Sequence, residues 1–176
     1  MTTNPDTLAR FIAAQDGGTR ASPGVTAYDN ACAELRAGKK VSHWIWFVFP
    51  QGPLGSSEMS RLYAIQDPSE AALYLKNDVL RSRLLEVTSL VNQQLVSGSA
   101  VESLMGSSTD TQKLTSCLTL FEQIADWESD HVVRDAMKAV LDHRSMSAWP
   151  RCQWTLLWLE TGHWPNAPRD GHRAER

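Results

Sequence analysis

The feature of this sequence that most limits its fold is a single strand-like run with no second run to pair with. Residues 43–49, His-Trp-Ile-Trp-Phe-Val-Phe, are dense in aromatic and β-branched side chains, which favour strands. A lone strand would leave its backbone N–H and C=O groups unpaired, and no other segment has a similar character. We therefore predict a short buried helix here, capped by Ser42 and ended by Pro50.

The remainder of the chain carries helical patterns. Apolar residues recur three and four positions apart, most clearly over residues 80–95. Asp67-Pro68, with Glu70 three residues after the Asp, is typical of a helix start. Asp110 is expected to cap a later helix, because Asp side chains accept hydrogen bonds from the first free N–H groups. These patterns predict a series of helices joined by short loops.

Length and composition fit one globular domain. Of the 176 residues, 42% are hydrophobic and 21% are charged, which excludes global disorder. We predict a single compact all-α domain of seven or eight short helices over residues 1–164. Residues 165–176 combine Pro and Gly with charged side chains, and we predict that they form a disordered tail.

Charge and cysteine content limit the partners and the compartment. Lys and Arg number 17 against 20 Asp and Glu, so the net charge of −3 argues against nucleic-acid and membrane-surface binding. The longest apolar stretch, residues 44–50, is too short to cross a bilayer. Three cysteines without paired spacing, and no leader-like N-terminus, predict a cytoplasmic protein with reduced thiols. We expect no cofactor and no metal, and the pattern leaves the oligomeric state open.

Several blocks recur in the order found in a known bacterial family. They are residues 8–11, 34–39, 42–51, 63–65, 70–75 and 113–121. In this order they resemble the bacterial domain-of-unknown-function family numbered 1810, over roughly residues 7–145, and His-Trp-x-Trp-Phe-x-Phe-Pro-Gln is the most specific block. The resemblance implies an all-helical fold and no particular activity. Its members are often labelled "calpastatin", but such inhibitors are long and disordered, whereas this chain is compact and apolar.

Polar residues adjoining the aromatic run form the candidate site. Small-ligand pockets commonly lie where aromatic walls meet a few polar groups. We predict a pocket that binds, or carries out chemistry on, a small polar metabolite, which includes anionic and nucleotide-like ones. Its catalytic candidates are His43, because histidine exchanges protons near neutral pH, and Lys113, which would stabilise negative charge. The candidate ligand contacts are Trp44, Trp46, Gln51, Ser56, Ser57, Tyr63, Asp110 and Ser116.

Two alternatives remain open at this point. The same polar residues could instead satisfy backbone groups at helix ends. Lys113 would lie in the first turn of a helix that begins at Asp110. A cation is unfavourable there, because the N-terminal end of a helix is already positive. We therefore expect either an anionic ligand or an ion pair with Asp110 to compensate the charge of Lys113.

A second hypothesis is a protein-interaction module. Four of the seven tryptophans, Trp149, Trp154, Trp158 and Trp164, lie near the C-terminus and could form a partner surface. Trp154 and Trp158 are four residues apart, a spacing that predicts packing in the core.

Overall fold

The computed structural model describes residues 5–18, 24–53, 55 and 57–162, and the structural statements below refer to these residues. They contain ten α-helices, seven of them with at least seven residues. The α-helices are α1 (Ala9–Asp16), α2 (Ala27–Arg36), α3 (Ile45–Val48), α4 (Glu58–Leu62), α5 (Pro68–Lys76), α6 (Asp78–Val96), α7 (Val101–Met105), α8 (Ser108–Trp127), α9 (His131–Leu141) and α10 (Gln153–Thr161).

The all-α prediction is confirmed. The described residues form no strand, and their only β-type pairing is one isolated bridge between Gly18 and Thr26. The strand-like run becomes α3, as expected, although Ser42 does not cap it. The helix count exceeds seven or eight because α3, α4 and α7 are single turns of four or five residues. The predicted tail over residues 165–176 lies outside the described residues.

Helix α8 is the centre of the fold. It packs against α3, α5, α7, α9 and α10, and its side chains are buried on every face over most of its length. Two of its hydroxyl side chains are satisfied within the helix: Thr115 donates to the carbonyl of Thr111, and Thr119 donates to that of Thr115. A helix with polar side chains can therefore lie inside the domain. Among the described helices, none combines the length and the hydrophobicity that a membrane-spanning segment requires.

The starts of the helices follow the capping signals only in part. Asp67 accepts the N–H of Glu70, as predicted for α5. The prediction that Asp110 caps α8 is wrong, because the hydroxyl of Ser107 accepts the N–H of Asp110 at 3.1 Å and the helix begins at Ser108. Lys113 consequently lies in the second turn, and the Asp110 carboxylate is free to take other partners.

The segment that contains Arg151 and α10 is attached to α8 by an ion pair and by a buried tryptophan. Arg151 donates from two nitrogens to both oxygens of the buried Glu122 carboxylate, at 2.5 and 2.6 Å, and also to Asp142. Trp158 is buried, as predicted. The prediction that Trp154 packs in the core is wrong, since it lies on the outer side of α10 and is exposed.

Candidate functional site

Residues from two distant segments meet beside the N-terminal half of α8. The Lys113 ammonium lies 2.9 Å from Asp110 Oδ1 and 3.6 Å from the centre of the Trp46 ring. Trp46 belongs to the aromatic run, whereas the other two residues belong to α8. Three of the residues singled out from the sequence are therefore in direct contact.

Lys40 completes this arrangement and was missed by the sequence analysis. Its ammonium lies 2.6 Å from Asp110 Oδ2, donates to the carbonyl of Ser42 at 2.8 Å, and faces the Trp44 ring at 5.1 Å. Its backbone N–H donates to the carbonyl of Leu104 at the end of α7. The signal that could have found it is its position four residues before Trp44. We call Lys40, Trp44, Trp46, Asp110 and Lys113 the lysine–tryptophan cluster.

The cluster is nearly closed to solvent and contains one carboxylate. The side chains of Lys40, Lys113 and Asp110 are 5%, 11% and 16% exposed. Burial acts to raise the pKa of Asp110, but hydrogen bonds from Lys40 and Lys113 outweigh it and hold the pKa below its ordinary value. The carboxylate is thus ionised at neutral pH. The Asp110 carboxylate is thus shared between two ammonium groups, and no other described carboxylate contacts either of them.

Glu34 fixes the start of the aromatic run. Its carboxylate accepts the indole N–H of Trp44 at 2.7 Å, the hydroxyl of Ser42 at 2.6 Å and the backbone N–H of Val41 at 2.7 Å. Burial acts to raise the pKa of Glu34, yet these hydrogen bonds hold it below its ordinary value. No ion pair joins Glu34 to a lysine in the described chain, so this carboxylate orients Trp44 through hydrogen bonds.

His43 lies outside the lysine–tryptophan cluster. Its side chain is exposed, at the edge of a cleft of about 190 Å³ that Trp44 and Phe47 also line. This volume is below the roughly 300–1,000 Å³ of typical ligand pockets. No hydrogen bond links His43 to Lys113, so the two catalytic candidates do not form a pair in the part of the chain that the structure describes. Among the described residues, no three His, Cys, Asp or Glu side chains lie together in a way that could hold a metal ion.

The serines of the predicted site have structural partners. Ser116 is buried, and its hydroxyl pairs with that of Thr155 at 2.9 Å, which joins α8 to α10. Ser57 caps α4 by accepting the N–H of Ser60. Ser56 lies outside the described residues. Their hydroxyls thus hold helices in place, and none of the hydrogen bonds of Ser57 and Ser116 leads to the lysine–tryptophan cluster.

Gln51 and Tyr63 lie on the other side of the aromatic run. Tyr63 packs its ring against Phe11 and Phe47. Gln51 is 3% exposed, and its backbone carbonyl accepts the N–H of Ile65 at 2.8 Å. Among the described residues, neither its amide nitrogen nor its amide oxygen has a hydrogen-bond partner, which is unusual for a buried side chain.

Replacing Gln51 by leucine is expected to raise the free energy of unfolding by about 1–2 kcal/mol, because two unpaired polar atoms leave the interior. Urea denaturation measures the change, and Gln112→Leu is the matched control at an exposed position. A loss of more than about 1 kcal/mol in Gln51→Leu would contradict the expectation, since it would show that the amide forms bonds that leucine cannot replace.

Comparisons with known proteins agree with the resemblance seen in the sequence. Residues 5–148 match the model of a family described as "Protein of unknown function (DUF1810)". The crystal structure of the conserved hypothetical protein Rv1873 from Mycobacterium tuberculosis is similar, with 38% sequence identity and a TM-score of 0.64. That match covers 82% of this chain and 97% of the other. No curated protein matches.

Proposed function

Because this chain belongs to the DUF1810 family, whose description assigns no activity, we propose a function from the geometry of the site: the lysine–tryptophan cluster binds a small anionic metabolite. The single observation that carries the proposal is the shared carboxylate. Asp110 is the one carboxylate that contacts Lys40 and Lys113 among the described residues. A bound anion would add a second negative charge in contact with the two ammonium groups.

The physical reason is the cost of a buried charge. Removing an ammonium group from water costs several kcal/mol unless a counter-charge and hydrogen bonds compensate for it. Lys113 has three N–H donors, and one of them is used by Asp110 at 2.9 Å. The ring of Trp46 attracts the same ammonium but carries no net charge. Donors of Lys113 therefore remain for a ligand.

The chemistry of the cluster favours a compact anion. Two lysines offer point charges with rotatable donors, whereas flat bidentate recognition is typical of arginine. A phosphate or carboxylate group on a small metabolite suits such a site, and the half-buried Trp46 offers an apolar wall for the body of the molecule. The proposal concerns binding, since His43 forms no hydrogen bond with another described side chain and gives no support to a reaction.

Thermal-shift measurements with anions test the proposal. The panel would include inorganic phosphate, acetate and nucleoside monophosphates. A ligand at 100 times its Kd adds about 2.7 kcal/mol of stability. We expect Lys113→Met to abolish this stabilisation. The same substitution should change the stability of the ligand-free protein by less than about 1 kcal/mol, because Lys40 and Asp110 remain as a balanced pair.

The matched control is Lys76→Met, which removes an exposed lysine paired with Glu128. This variant should keep the full thermal shift. Stabilisation by the same anion in Lys113→Met, equal to that of the wild type, would contradict the proposal.

A further inference from the structure

A cleft of about 410 Å³ lies between α8 and the segment that leads into α10. Its volume falls within the roughly 300–1,000 Å³ of small-molecule sites, unlike that of the cleft beside His43. Gln112 and Thr115 line it from α8, and residues 148–154 form the other wall. No member of the lysine–tryptophan cluster lines this cleft, so it is a separate feature of the surface.

The wall formed by residues 148–154 is anchored to α8. The backbone N–H of Cys152 donates to the hydroxyl of Thr119 at 3.0 Å. Arg151 donates from two nitrogens to the carboxylate of Glu122, which is buried on α8. These bonds hold both walls in place, and a ligand would therefore meet a largely pre-formed site, as is usual for small molecules.

Two tryptophans give the cleft its aromatic surface. Trp149 is half-buried and Trp154 is 48% exposed, and both line the cleft together with Pro150. No aromatic pair in the described chain includes either indole ring. The rings are therefore available to a flat molecule, and bases bind proteins by stacking on exposed aromatic side chains of this kind.

The charge at the cleft favours a neutral molecule. Arg151 is the one charged side chain among the residues that line it. Each of its three nitrogens already donates to a carboxylate, two of them to Glu122 and the third to Asp142. The cleft thus offers no free cation to a phosphate, in contrast to the lysine–tryptophan cluster.

Two glutamine amides supply hydrogen-bonding groups at the cleft. Gln112 is exposed and its amide has no hydrogen-bond partner among the described residues. Gln153 uses only its amide nitrogen, which lies 3.4 Å from the carbonyl of Arg151. A glutamine amide presents a donor and an acceptor side by side, and this pair matches the edge of a nucleobase such as adenine.

We propose that this cleft binds a neutral nucleobase, either free or in a nucleoside, which stacks on Trp154 and pairs its edge with the glutamine amides. The proposal adds a second site to the anion site described above and does not depend on it. The stacking surface, the glutamine amides and the fully paired Arg151 each select for a flat, uncharged ligand with polar edges.

An NMR titration of the full chain with adenosine tests the stacking. The indole signals of Trp149 and Trp154, assigned from the signals lost in the two Trp→Phe variants, should shift together and saturate with one Kd. Trp154→Ala should raise the Kd reported by Trp149 at least about fivefold, because the stacking surface is lost. Trp127→Ala is the matched control, since it removes an exposed tryptophan elsewhere, and it should leave the Kd unchanged.

The double variant Gln112→Ala/Gln153→Ala tests the recognition of the base edge. Both side chains are exposed, so the variant should fold as the wild type does. We expect its Kd for adenosine to rise at least about fivefold, because the paired hydrogen bonds to the base are lost.

Cys152 provides a second measurement of where adenosine binds. It lines the cleft and is partly exposed, whereas Cys32 and Cys117 are buried. Adenosine should therefore slow the alkylation of Cys152 by iodoacetamide, with the Kd found by NMR. Inorganic phosphate should give no protection, and Lys113→Met should keep the protection by adenosine, so this test is independent of anion binding.

Three results would overturn the proposal. Stationary Trp149 and Trp154 signals at saturating Trp46 shifts would assign adenosine to the lysine–tryptophan cluster. A Kd that is the same in the wild type and in Trp154→Ala would exclude stacking in the cleft. An unchanged Kd in the glutamine double variant would exclude recognition of a base edge.

Discussion

Replacing Asp110 by alanine is expected to lower the free energy of unfolding by about 3 kcal/mol, because two nearly buried ammonium groups lose their shared counter-charge. Urea denaturation at neutral pH measures the loss. The matched control is Asp135→Ala, which removes an exposed partner of Arg134 and should cost less than about 0.5 kcal/mol. Equal effects of the two substitutions would contradict the role given to Asp110.

The effect of Asp110 should depend on pH in a defined direction. The pKa of Asp110 in the folded protein is below its ordinary value, which is about 3.9 in an unfolded chain. The carboxylate therefore contributes its full stabilisation above about pH 4, and this is lost as the pH falls through the lower folded pKa. The difference in stability between the wild type and Asp110→Ala should accordingly shrink below pH 4.

Replacing Trp44 by alanine is expected to cost about 4 kcal/mol, which is the usual range for a large aromatic side chain lost from a core. Trp44 is almost fully buried, its N–H binds Glu34, and Lys40 faces its ring. Thermal or urea unfolding measures the change. Trp127→Ala is the control, because Trp127 is exposed and its loss should cost less than about 1 kcal/mol.

Trp44→Phe separates the two contributions of this side chain. It keeps an apolar ring in the core but removes the N–H to Glu34 and part of the indole volume, so its cost should be smaller than that of Trp44→Ala. A loss below about 1 kcal/mol in Trp44→Ala would contradict the placement of Trp44 in the core.

The sequence predicted the all-α fold because that conclusion rests on local signals. The aromatic run had no partner strand, and the apolar periodicity and the Asp67 cap agreed with helices. The exact start of α8 could not be predicted in the same way. Ser107, Ser108, Thr109 and Asp110 are all residue types that cap helices well, and nothing local distinguishes them. In the structure Asp110 pairs with Lys40, which comes from a distant segment, and Ser107 caps the helix.

The sequence brought together only some of the residues of the lysine–tryptophan cluster. Trp46 contacts Lys113, which pairs with Asp110, and all three were grouped from the sequence. Lys40 was missed because a lysine that follows Gly38-Lys39 is typical of an exposed loop, and its burial depends on the long-range bond to Leu104. The spacing of Trp154 and Trp158 suggested one shared buried face. The buried face of α10 instead joins Thr155 and Trp158, because Thr155 pairs with Ser116.

The measurement that tests the central claim most directly is an NMR titration of the full chain with inorganic phosphate and with acetate. We expect the indole signal of Trp46 and the side-chain signals of Lys113 to shift together and saturate with one Kd, while the signal of the exposed Trp127 stays in place. The shift of Trp46 should disappear in Lys113→Met. A stationary Trp46 signal in the wild type, or the same shift in Lys113→Met, would contradict anion binding by the lysine–tryptophan cluster.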